Sequence, residues 1–426
     1  MREGWIEKEL IEVTDFIDYR GRTPKKTESG IKLITAKNVR MGYLKNNPEE
    51  FINEDAYDDW MTRGIPQKGD VLFTTEAPLA NVALLDTEEK IALAQRIITL
   101  CPDRDILNGE YLTYCIQSPE MQYKILEKGT GATVTGIKSR VLKKVKIPIP
   151  PLPEQKRIVD ILDEAFEAID QAKANIEQNI QNAEELFQSK LNEIFLQKGD
   201  GWEEKRLGDL TYVSSGGTPK RSTSEYWKNG TIAWYSSGEL NDLFTKDPER
   251  HITSIGLDES NAKLFPKGSL LIGMYDTAAL KMSILEREGT FNQAISGVKP
   301  TKELNLQFVM YAINSIKPVL MKQRRGVRQK NLNLTKIKAI SIPCPNIAIQ
   351  NEVVSQLGEL KENIDSLKDT LNCKLVELIE LKKSILQKAF SGELTRGEAG
   401  LAGFGDEWDE LVAKAAEPEV KYNAEE

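Results

Sequence analysis

Histidine is almost absent from this sequence, because His251 is the single one among 426 residues. Acid–base catalysis by histidine in both halves of the chain is therefore excluded, and so are metal sites built from several histidines. The four cysteines show no CxxC spacing. We interpret them as reduced, structural thiols of a cytoplasmic protein, with neither a disulfide framework nor a zinc site.

Other signatures of common protein classes are also missing. No apolar run approaches membrane-spanning length, and the N-terminus lacks the basic-then-apolar pattern of a signal peptide. There is no GxxxxGK[S/T] loop, no glycine-rich nucleotide fingerprint and no Asn/Asp-Pro-Pro-aromatic tetrapeptide of amino-methyltransferases. A nuclease site could combine Pro102-Asp103 with Glu154-Gln155-Lys156, but this spacing is long, and Glu-x-Lys also occurs at Glu88 and Glu203. The sequence predicts a chain without catalytic activity or a membrane partner.

Negative charge is concentrated at the C-terminus. The net charge is −8, but residues 397–426 contain nine acidic and only two basic residues. The rest of the chain is nearly neutral, so its charge does not exclude nucleic acid as a partner. We predict that residues 397–426 form an acidic, mobile tail whose role is open.

A long amphipathic segment is present twice. Apolar residues recur every three or four positions from Ile158 to Phe187, and the same steps recur 195 residues later from Val353. This periodicity predicts two long helices, each burying an apolar stripe against a partner. The helices share one irregular step, and the linker after Phe195 is short, so we expect them to pair with each other in an antiparallel arrangement.

A mixed α/β module precedes each long helix. The Trp-x-Glu-Lys-x-Leu motif of residues 5–10 recurs at 202–207, and the Gly-x-Thr-Pro turn of 21–24 recurs at 216–219. Strand-like runs include Lys32–Thr35, Val71–Thr74 and Arg96–Leu100, and a helix is predicted over Glu110–Glu127. The loops between the shared motifs differ, which favours two modules that recognise different targets. The alternative is neutral drift of the loops after an old duplication.

Basic segments stand just before the long helices. Residues 317–338 contain eight basic residues and no acid, and residues 124–146 contain seven basic residues against Glu127. A basic run is usually only a solvated surface, but two runs at equivalent positions of a repeat favour phosphate binding. The candidate DNA-binding residues, which include those beside the Gly-x-Thr-Pro turns, are Arg22, Lys25, Lys26, Arg40, Lys138, Arg140, Lys143, Lys220, Arg221, Arg324, Arg325, Arg328 and Lys330.

The order of these parts resembles the specificity subunit of type I restriction–modification enzymes. The features that carry the resemblance are the module openings at Trp5 and Trp202, the Gly-x-Thr-Pro turns, the Pro-Leu-Pro-Glu-Gln motif of residues 151–155 and the helix end at residues 389–394. The second copy departs from the Pro-Leu-Pro-Glu-Gln motif, since residues 345–350 are Pro-Asn-Ile-Ala-Ile-Gln. The acidic tail lies outside the family pattern.

The resemblance implies an α+β fold with two pseudo-repeated target recognition domains separated by a long antiparallel two-helix coiled coil. The implied domains are recognition domain 1 (1–153), the first helix (154–200), recognition domain 2 (201–348), the second helix (349–396) and the tail (397–426). Each domain would contact one half of a bipartite, asymmetric DNA target, and the helices would set the spacing between the halves.

The resemblance also implies protein partners, namely two methyltransferase subunits and two restriction subunits. S-adenosylmethionine, ATP and Mg²⁺ would be bound by these partners and not by this chain. Four apolar residues are expected to stay exposed after the helices pair, and they are the candidate contacts with the methyltransferase subunits, although helix packing alone could also explain them: Phe166, Ile194, Phe195 and Phe390. The alternative hypothesis is a coiled-coil scaffold with two protein-binding modules, which would leave the paired basic segments unexplained.

Overall fold

The computed structural model describes residues 2–21, 23–131, 135–199, 201–322 and 332–395. These residues form two compact units. Unit 1 comprises residues 1–178 with 371–426, and unit 2 comprises residues 179–370. The two long helices, α6 (Leu152–Gln197) and α11 (Ile347–Ser391), each contribute one part to each unit.

The strands and helices before α6 are β1 (Ile6–Glu9), α1 (Leu10–Val13), β2 (Thr14–Asp18), β3 (Lys26–Thr27), β4 (Ile31–Ile34), β5 (Phe51–Ile52), α2 (Tyr57–Trp60), β6 (Val71–Thr74), β7 (Val82–Leu84), β8 (Ile91–Leu93), β9 (Ile97–Pro102), α3 (Gly109–Gln117), α4 (Pro119–Glu127), α5 (Ser139–Leu142) and β10 (Lys146–Ile149). Among the described residues of unit 1, the strands form three small sheets, in the orders β2-β9-β6-β7, β3-β5-β4-β8 and β1-β10. One cluster of buried side chains joins the first two sheets, with Leu33, Leu72 and Leu93 almost fully buried.

The helix predicted over Glu110–Glu127 is wrong as a single element, because the structure has two helices there. Ser118 ends α3 in an extended conformation and begins α4, where its hydroxyl accepts from the backbone N–H of Met121. Pro119 follows at the first helical position. A proline disfavours helical backbone in the residue before it and suits a helix start, so the chain breaks at this point.

Unit 2 repeats this plan. Its strands and helices are β11 (Glu203–Arg206), α7 (Leu207–Leu210), β12 (Val213–Ser215), β13 (Ile232–Tyr235), β14 (Arg250–Ile252), α8 (Ser254–Asp258), β15 (Leu270–Gly273), β16 (Met282–Ile284), β17 (Gly289–Phe291), β18 (Ile295–Val298), α9 (Leu306–Lys322), α10 (Leu334–Lys338) and β19 (Ser341–Cys344). The strands form sheets in the orders β12-β18-β15-β16, β14-β13-β17 and β11-β19. The pairing of the first and last strands is equivalent in the two units, since Lys8 pairs with Ile147 and Lys205 pairs with Ile342.

The long helices run antiparallel within each unit. In unit 1, Glu154 at the start of α6 accepts from Thr395, just after α11, at 2.7 Å, and the Lys382 ammonium lies 4.2 Å from the centre of the Phe166 ring. In unit 2, the Lys361 ammonium lies 5.8 Å from the Phe187 ring. The predicted apolar stripe is buried or half-buried along both helices, which confirms the predicted pairing.

A buried glutamine connects the first module to α6 by hydrogen bonds. The Gln155 side chain is fully buried, and its Oε1 accepts from the backbone N–H of Asn108 at 2.8 Å. Its Nε2 donates to the carbonyl oxygens of Ile106 and Pro150, each at 2.8 Å. One amide therefore satisfies three backbone groups where the module meets the helix.

Gln350 makes the same arrangement at the start of α11. Its Oε1 accepts from the N–H of Asn305 at 2.9 Å, and its Nε2 donates to the carbonyl oxygens of Glu303 at 3.1 Å and Pro345 at 2.8 Å. The second copy has lost the rest of the Pro-Leu-Pro-Glu-Gln motif but keeps the glutamine. The glutamine is the residue of this motif whose hydrogen bonds are the same in both units.

Replacing Gln155 with Ala is expected to lower the free energy of unfolding by at least about 3 kcal/mol, because three backbone groups lose a buried partner and each such loss costs about 1–3 kcal/mol. Gln350→Ala should have a similar effect. Urea unfolding followed by circular dichroism measures both. Gln171→Ala is the control, since Gln171 is exposed on α6 and its side chain donates to Asn175 one turn away; an equal loss in this control would contradict the assignment.

Candidate nucleic-acid interface

Five of the predicted DNA-binding residues lie outside the described residues: Arg22, Arg324, Arg325, Arg328 and Lys330. Their assignment stays a prediction, and residues 397–426 lie outside the described ranges as well. The remaining eight candidates are described, and they fall into separate groups in each unit.

Lys138, Arg140 and Lys143 of unit 1 are grouped by the short helix α5. Lys138 is the N-cap residue, Arg140 lies in the helix and Lys143 is the C-cap residue. Lys138 and Arg140 are exposed, whereas Lys143 is half-buried with its ammonium 5.1 Å from the centre of the Phe16 ring. Within the described ranges no carboxylate oxygen lies within 4 Å of these three cations, so they are available for phosphate.

Lys26 is not available in the same way. Its ammonium lies 2.6 Å from a carboxylate oxygen of Glu50, which is largely buried, while neighbouring Lys25 is exposed. The ion pair connects the segment after the Gly-x-Thr-Pro turn to the residue before β5. Lys26 therefore neutralises a carboxylate of its own unit.

Arg20, next to the same turn, is also engaged internally. Its guanidinium donates two hydrogen bonds to the Asp18 carboxylate, at 2.6 and 2.9 Å. Burial of Asp18 opposes its ionisation, but the hydrogen bonds and charges of Arg20 and Arg63 outweigh this effect and lower the pKa of the carboxyl. The pair fixes the entry to the turn.

Arg40 lies on a rigid turn that presents an aromatic side chain. The backbone N–H of Arg40 donates to the carbonyl oxygen of Tyr43 at 2.9 Å, and that of Gly42 donates to Val82 at 2.8 Å. Buried Asn38 holds the turn by donating to the carbonyl oxygen of Lys45 at 3.0 Å. The Arg40 side chain is half-buried, whereas Tyr43 is 59% exposed.

Unit 2 presents a different aromatic residue at the corresponding turn. Tyr43 stands nine positions after Ile34 at the end of β4, and Phe244 stands nine positions after Tyr235 at the end of β13. Phe244 is 42% exposed, and the residue at the position of Arg40 is Asn241. Neither aromatic residue was predicted from the sequence, although their shared position in the repeat is a signal that could have identified them.

Arg96 is a further basic residue that no sequence pattern marked as a candidate, and its backbone conformation distinguishes it. It has φ +77°, which is rare for a residue with a side chain, and it lies directly before β9. Its guanidinium pairs with Glu76 at 2.8 Å, and its carbonyl oxygen accepts from the N–H of Thr75 at 3.0 Å. The surrounding contacts hold this strained residue in place, a situation that is common at functional sites.

Lys220 and Arg221 of unit 2 are both exposed, and Arg221 lines a cleft of about 580 Å³. The carbonyl oxygen of Lys220 accepts from the indole N–H of Trp227 at 3.2 Å. The other residues that line the cleft are Ser222, Ser224, Trp227, Lys228, Glu249, Arg250 and His251. The cleft thus combines three permanent cations with one carboxylate.

The predicted exposure of the helix aromatics is wrong. Phe166 packs edge-on against Tyr114 with ring centres 5.5 Å apart, Phe390 packs against Tyr111 at 5.2 Å, and Phe195 contacts Phe308 at 5.2 Å. All three phenylalanines are buried, and Ile194 is half-buried. These contacts connect each module to its part of the helix pair. The module covers a face of the helix that lies outside the stripe facing the other helix.

Different apolar residues of the helices are exposed. On α11 in unit 1, Val376 is 59% and Ile379 is 55% exposed, and they stand three positions apart on one face. On α6 in unit 2, Leu186 is also exposed. Within the described ranges, no helix has the length and hydrophobicity needed to cross a membrane.

Comparison with known proteins identifies the family. The model of the type I restriction modification DNA specificity domain matches residues 2–182 and 199–375, which is most of the chain. The chain belongs to the type I restriction–modification DNA specificity family. This result confirms the resemblance inferred from the duplicated motifs.

Relatives in the specificity family match over different lengths. The StySPI specificity subunit of Salmonella potsdam is 24% identical over 424 residues, covering 92% of this chain and 90% of that protein. The EcoR124I/EcoR124II specificity subunit of Escherichia coli is 27% identical over 255 residues, covering 57% of this chain and 60% of that protein.

Solved structures of specificity proteins share the fold. A chain from a type I restriction–modification system, solved in a study of its complex assembly, has a TM-score of 0.76 at 20% identity and covers 92% of this chain and 99% of its own. The HsdS subunit from Thermoanaerobacter tengcongensis has a TM-score of 0.62 at 20% identity, covering 92% and 98%. Together with the family match, this confirms the predicted α+β architecture of two domains with long helices.

The specificity family consists of DNA-recognition subunits that are not themselves catalytic. Membership assigns this chain a role in DNA sequence recognition and implies DNA and other restriction–modification subunits as partners. The DNA-binding role of the individual candidate residues stays a prediction.

Proposed function

We propose that the two units recognise the two halves of one bipartite, asymmetric DNA target. The observation that carries the proposal is that the units share their framework but differ where they face solvent. The buried glutamine is equivalent in both, whereas the exposed turns present Arg40 with Tyr43 in unit 1 and Asn241 with Phe244 in unit 2. A constant framework with unlike turns suits two recognition modules for different base sequences.

The recognition modules would comprise residues 1–153 and 201–348, and the helical segments would comprise residues 154–200 and 349–396. Arg40 is the candidate for base recognition in unit 1, because arginine can donate two hydrogen bonds to guanine O6 and N7. Asn241 is a poorer candidate, since its amide already donates to Gly238 and accepts from Lys281. The exposed cations around α5 would contact phosphate.

The proposed assembly contains two methyltransferase subunits and two restriction subunits. S-adenosylmethionine would be bound by the first, and ATP and Mg²⁺ by the second. The exposed pair Val376 and Ile379 replaces Phe166 as the proposed contact with a methyltransferase subunit, because an interface residue has to be accessible before assembly. The helices would also set the spacer between the two half-sites.

The proposal is tested by mapping methylated adenines in cells that express this chain with its methyltransferase partner. Methylation of a single two-part motif is expected, and methylation must be lost when the chain is omitted. In the same complex, the double substitution Val376→Asp, Ile379→Asp should reduce copurification of the methyltransferase at least about tenfold, since two charges would be buried in an apolar contact.

Ser384→Asp is the matched control for the docking surface, because Ser384 is exposed on another face of the same helix. The double variant should keep the circular dichroism spectrum and the melting temperature of the original chain, since both positions are solvent-exposed. A folded double variant that retains the methyltransferase would remove Val376 and Ile379 from the interface. DNA-independent binding of unrelated proteins without any methylated motif would favour the scaffold hypothesis.

A further inference from the structure

The register of the sheets shows which residues hold the same place in the two units. Ile31 pairs with Ile52 in unit 1, and Ile232 pairs with Ile252 in unit 2. Glu50 stands two positions before Ile52, and Arg250 stands two positions before Ile252. Glu50 and Arg250 are therefore at equivalent sites of the two units. The Gly-x-Thr-Pro turns align in the same way, so Arg221 corresponds to Lys26.

One residue of an ion pair in unit 1 is replaced by a residue of opposite charge in unit 2. In unit 1 the pair is Lys26 with Glu50, at 2.6 Å. In unit 2 the same two positions carry Arg221 and Arg250, and both line the cleft. An internally neutralised site of unit 1 is therefore a site of two arginines in unit 2.

The positive charge of the cleft is only partly compensated by carboxylates. Lys228 adds a third cation, and Glu249 supplies the single carboxylate of the lining. In the part of the chain that the structure describes, no carboxylate oxygen lies within 4 Å of Arg221, Lys228 or Arg250. Three cations that share one lining with a single carboxylate favour binding of an anion.

The walls of the cleft are held by the folded core of unit 2. The Trp227 ring packs edge-on against buried Trp234 at 5.2 Å, and the Arg250 guanidinium lies 6.0 Å from the Trp227 ring. Thr253, which follows β14, connects this strand to the residue before Trp227, because its N–H donates to the carbonyl oxygen of Tyr226 at 2.9 Å. Gly230 lies so close to β14 that a Cβ there would approach the His251 carbonyl carbon to 2.8 Å.

We propose that this cleft binds a phosphodiester group of the DNA backbone and that unit 1 has no equivalent site at this position. The inference rests on the proposed function and adds an asymmetry to it, since one module would hold DNA through a contact that the other lacks. Guanidinium groups suit phosphate because their donors match its oxygens in pairs. A phosphate contact fixes the position of the DNA without selecting its bases.

The decisive variant is Arg250→Glu in the chain assembled with its methyltransferase partner. It places a carboxylate at the position that corresponds to Glu50 while Arg221 stays at the position of Lys26, so this charge combination has a precedent in unit 1. Anisotropy of a labelled target duplex should show about tenfold weaker binding at low salt, and the slope of log affinity against log salt should fall by about one. The methylated motif should not change. Arg250→Gln, which removes the charge alone, should shift both quantities in the same direction by a smaller amount.

Lys205→Glu is the control with the same change of net charge, since Lys205 is exposed on β11 in a different sheet of unit 2. It should leave affinity and salt slope close to those of the original chain. If Arg250→Glu and Arg250→Gln keep the original affinity and slope, the inference is wrong although the proposed function stands. A relaxed methylation motif in one half-site would assign the cleft to base recognition and overturn the phosphate role.

Two further outcomes would have a different meaning: one would show that the cleft binds free phosphate, and the other would show that the proposed function is wrong. If inorganic phosphate at matched ionic strength raises the melting temperature of the original chain but not of Arg250→Glu, while duplex affinity is equal, the cleft binds free phosphate and not DNA. A complex of the original chain that does not distinguish its target from an unrelated duplex would overturn the proposed function instead.

Discussion

Replacing residues 1–150 with the corresponding module of a relative should change one half of the methylated motif and leave the other half intact. The physical reason is that the exposed turns of unit 1, including Arg40 and Tyr43, belong to the exchanged segment. The framework of the other module is built separately, with its own buried clusters and its own glutamine contact. We expect complete loss of methylation at the original target.

The junction at residue 150 has to preserve the contact with α6. Gln155 stays with the recipient, but its partners at Asn108 and Ile106 would come from the donor. The donor module should therefore carry a loop of the same length before its equivalent of α3. Reciprocal replacement of residues 201–345 is the matched experiment and should alter the other half-site. Chimeras that fold and methylate but lose both half-sites together would show that the modules recognise DNA jointly.

Inserting four residues into α6 between Ala172 and Ala183 should lengthen the unmodified spacer between the half-sites. Four residues add ~6 Å to a helix at ~1.5 Å per residue, and DNA rises ~3.4 Å per base pair. The full extension corresponds to roughly two base pairs. Because α11 is not extended, part of the change can be absorbed by bulging or sliding, and we expect one or two extra base pairs.

The measurement for the insertion is the methylated motif of cells that carry the lengthened chain. Methylation at the original spacing should be lost almost completely, while the half-site sequences persist, because no exposed turn of either module is altered. Four Ala substitutions at exposed positions in the same stretch, without an insertion, provide the control for helix stability. An active variant that keeps the original spacer would show that the helices hold partners without setting the distance.

Local sequence patterns predicted the framework of this protein well. The 3.6-residue periodicity identified both long helices because the burial of one helix face repeats along the chain. The repeated motifs identified two modules of one plan, but the three-way hydrogen bonding of Gln155 and Gln350 was not predicted from them. The break at Ser118–Pro119 was missed because the apolar pattern continues across it.

The candidate interface was predictable only in part. Residues such as Lys138 and Arg140 are exposed, as expected for a basic run before the long helix. Lys26 is paired and Phe166 is buried, and neither fact follows from the segments around them. The exposed aromatics Tyr43 and Phe244 were missed, because an isolated aromatic in a loop has no periodic pattern that marks it as exposed.

The sequence by itself determined that this chain has two copies of one module, each followed by a long helix, because these features depend on residues near one another in the chain. Tertiary structure decided which side chains are left for partners. Glu50 neutralises Lys26 although the two residues are 24 positions apart in the chain, whereas the corresponding residues Arg250 and Arg221 of the second copy line one basic cleft. Burial and charge compensation depend on contacts between distant segments, and only the folded chain brings those segments together.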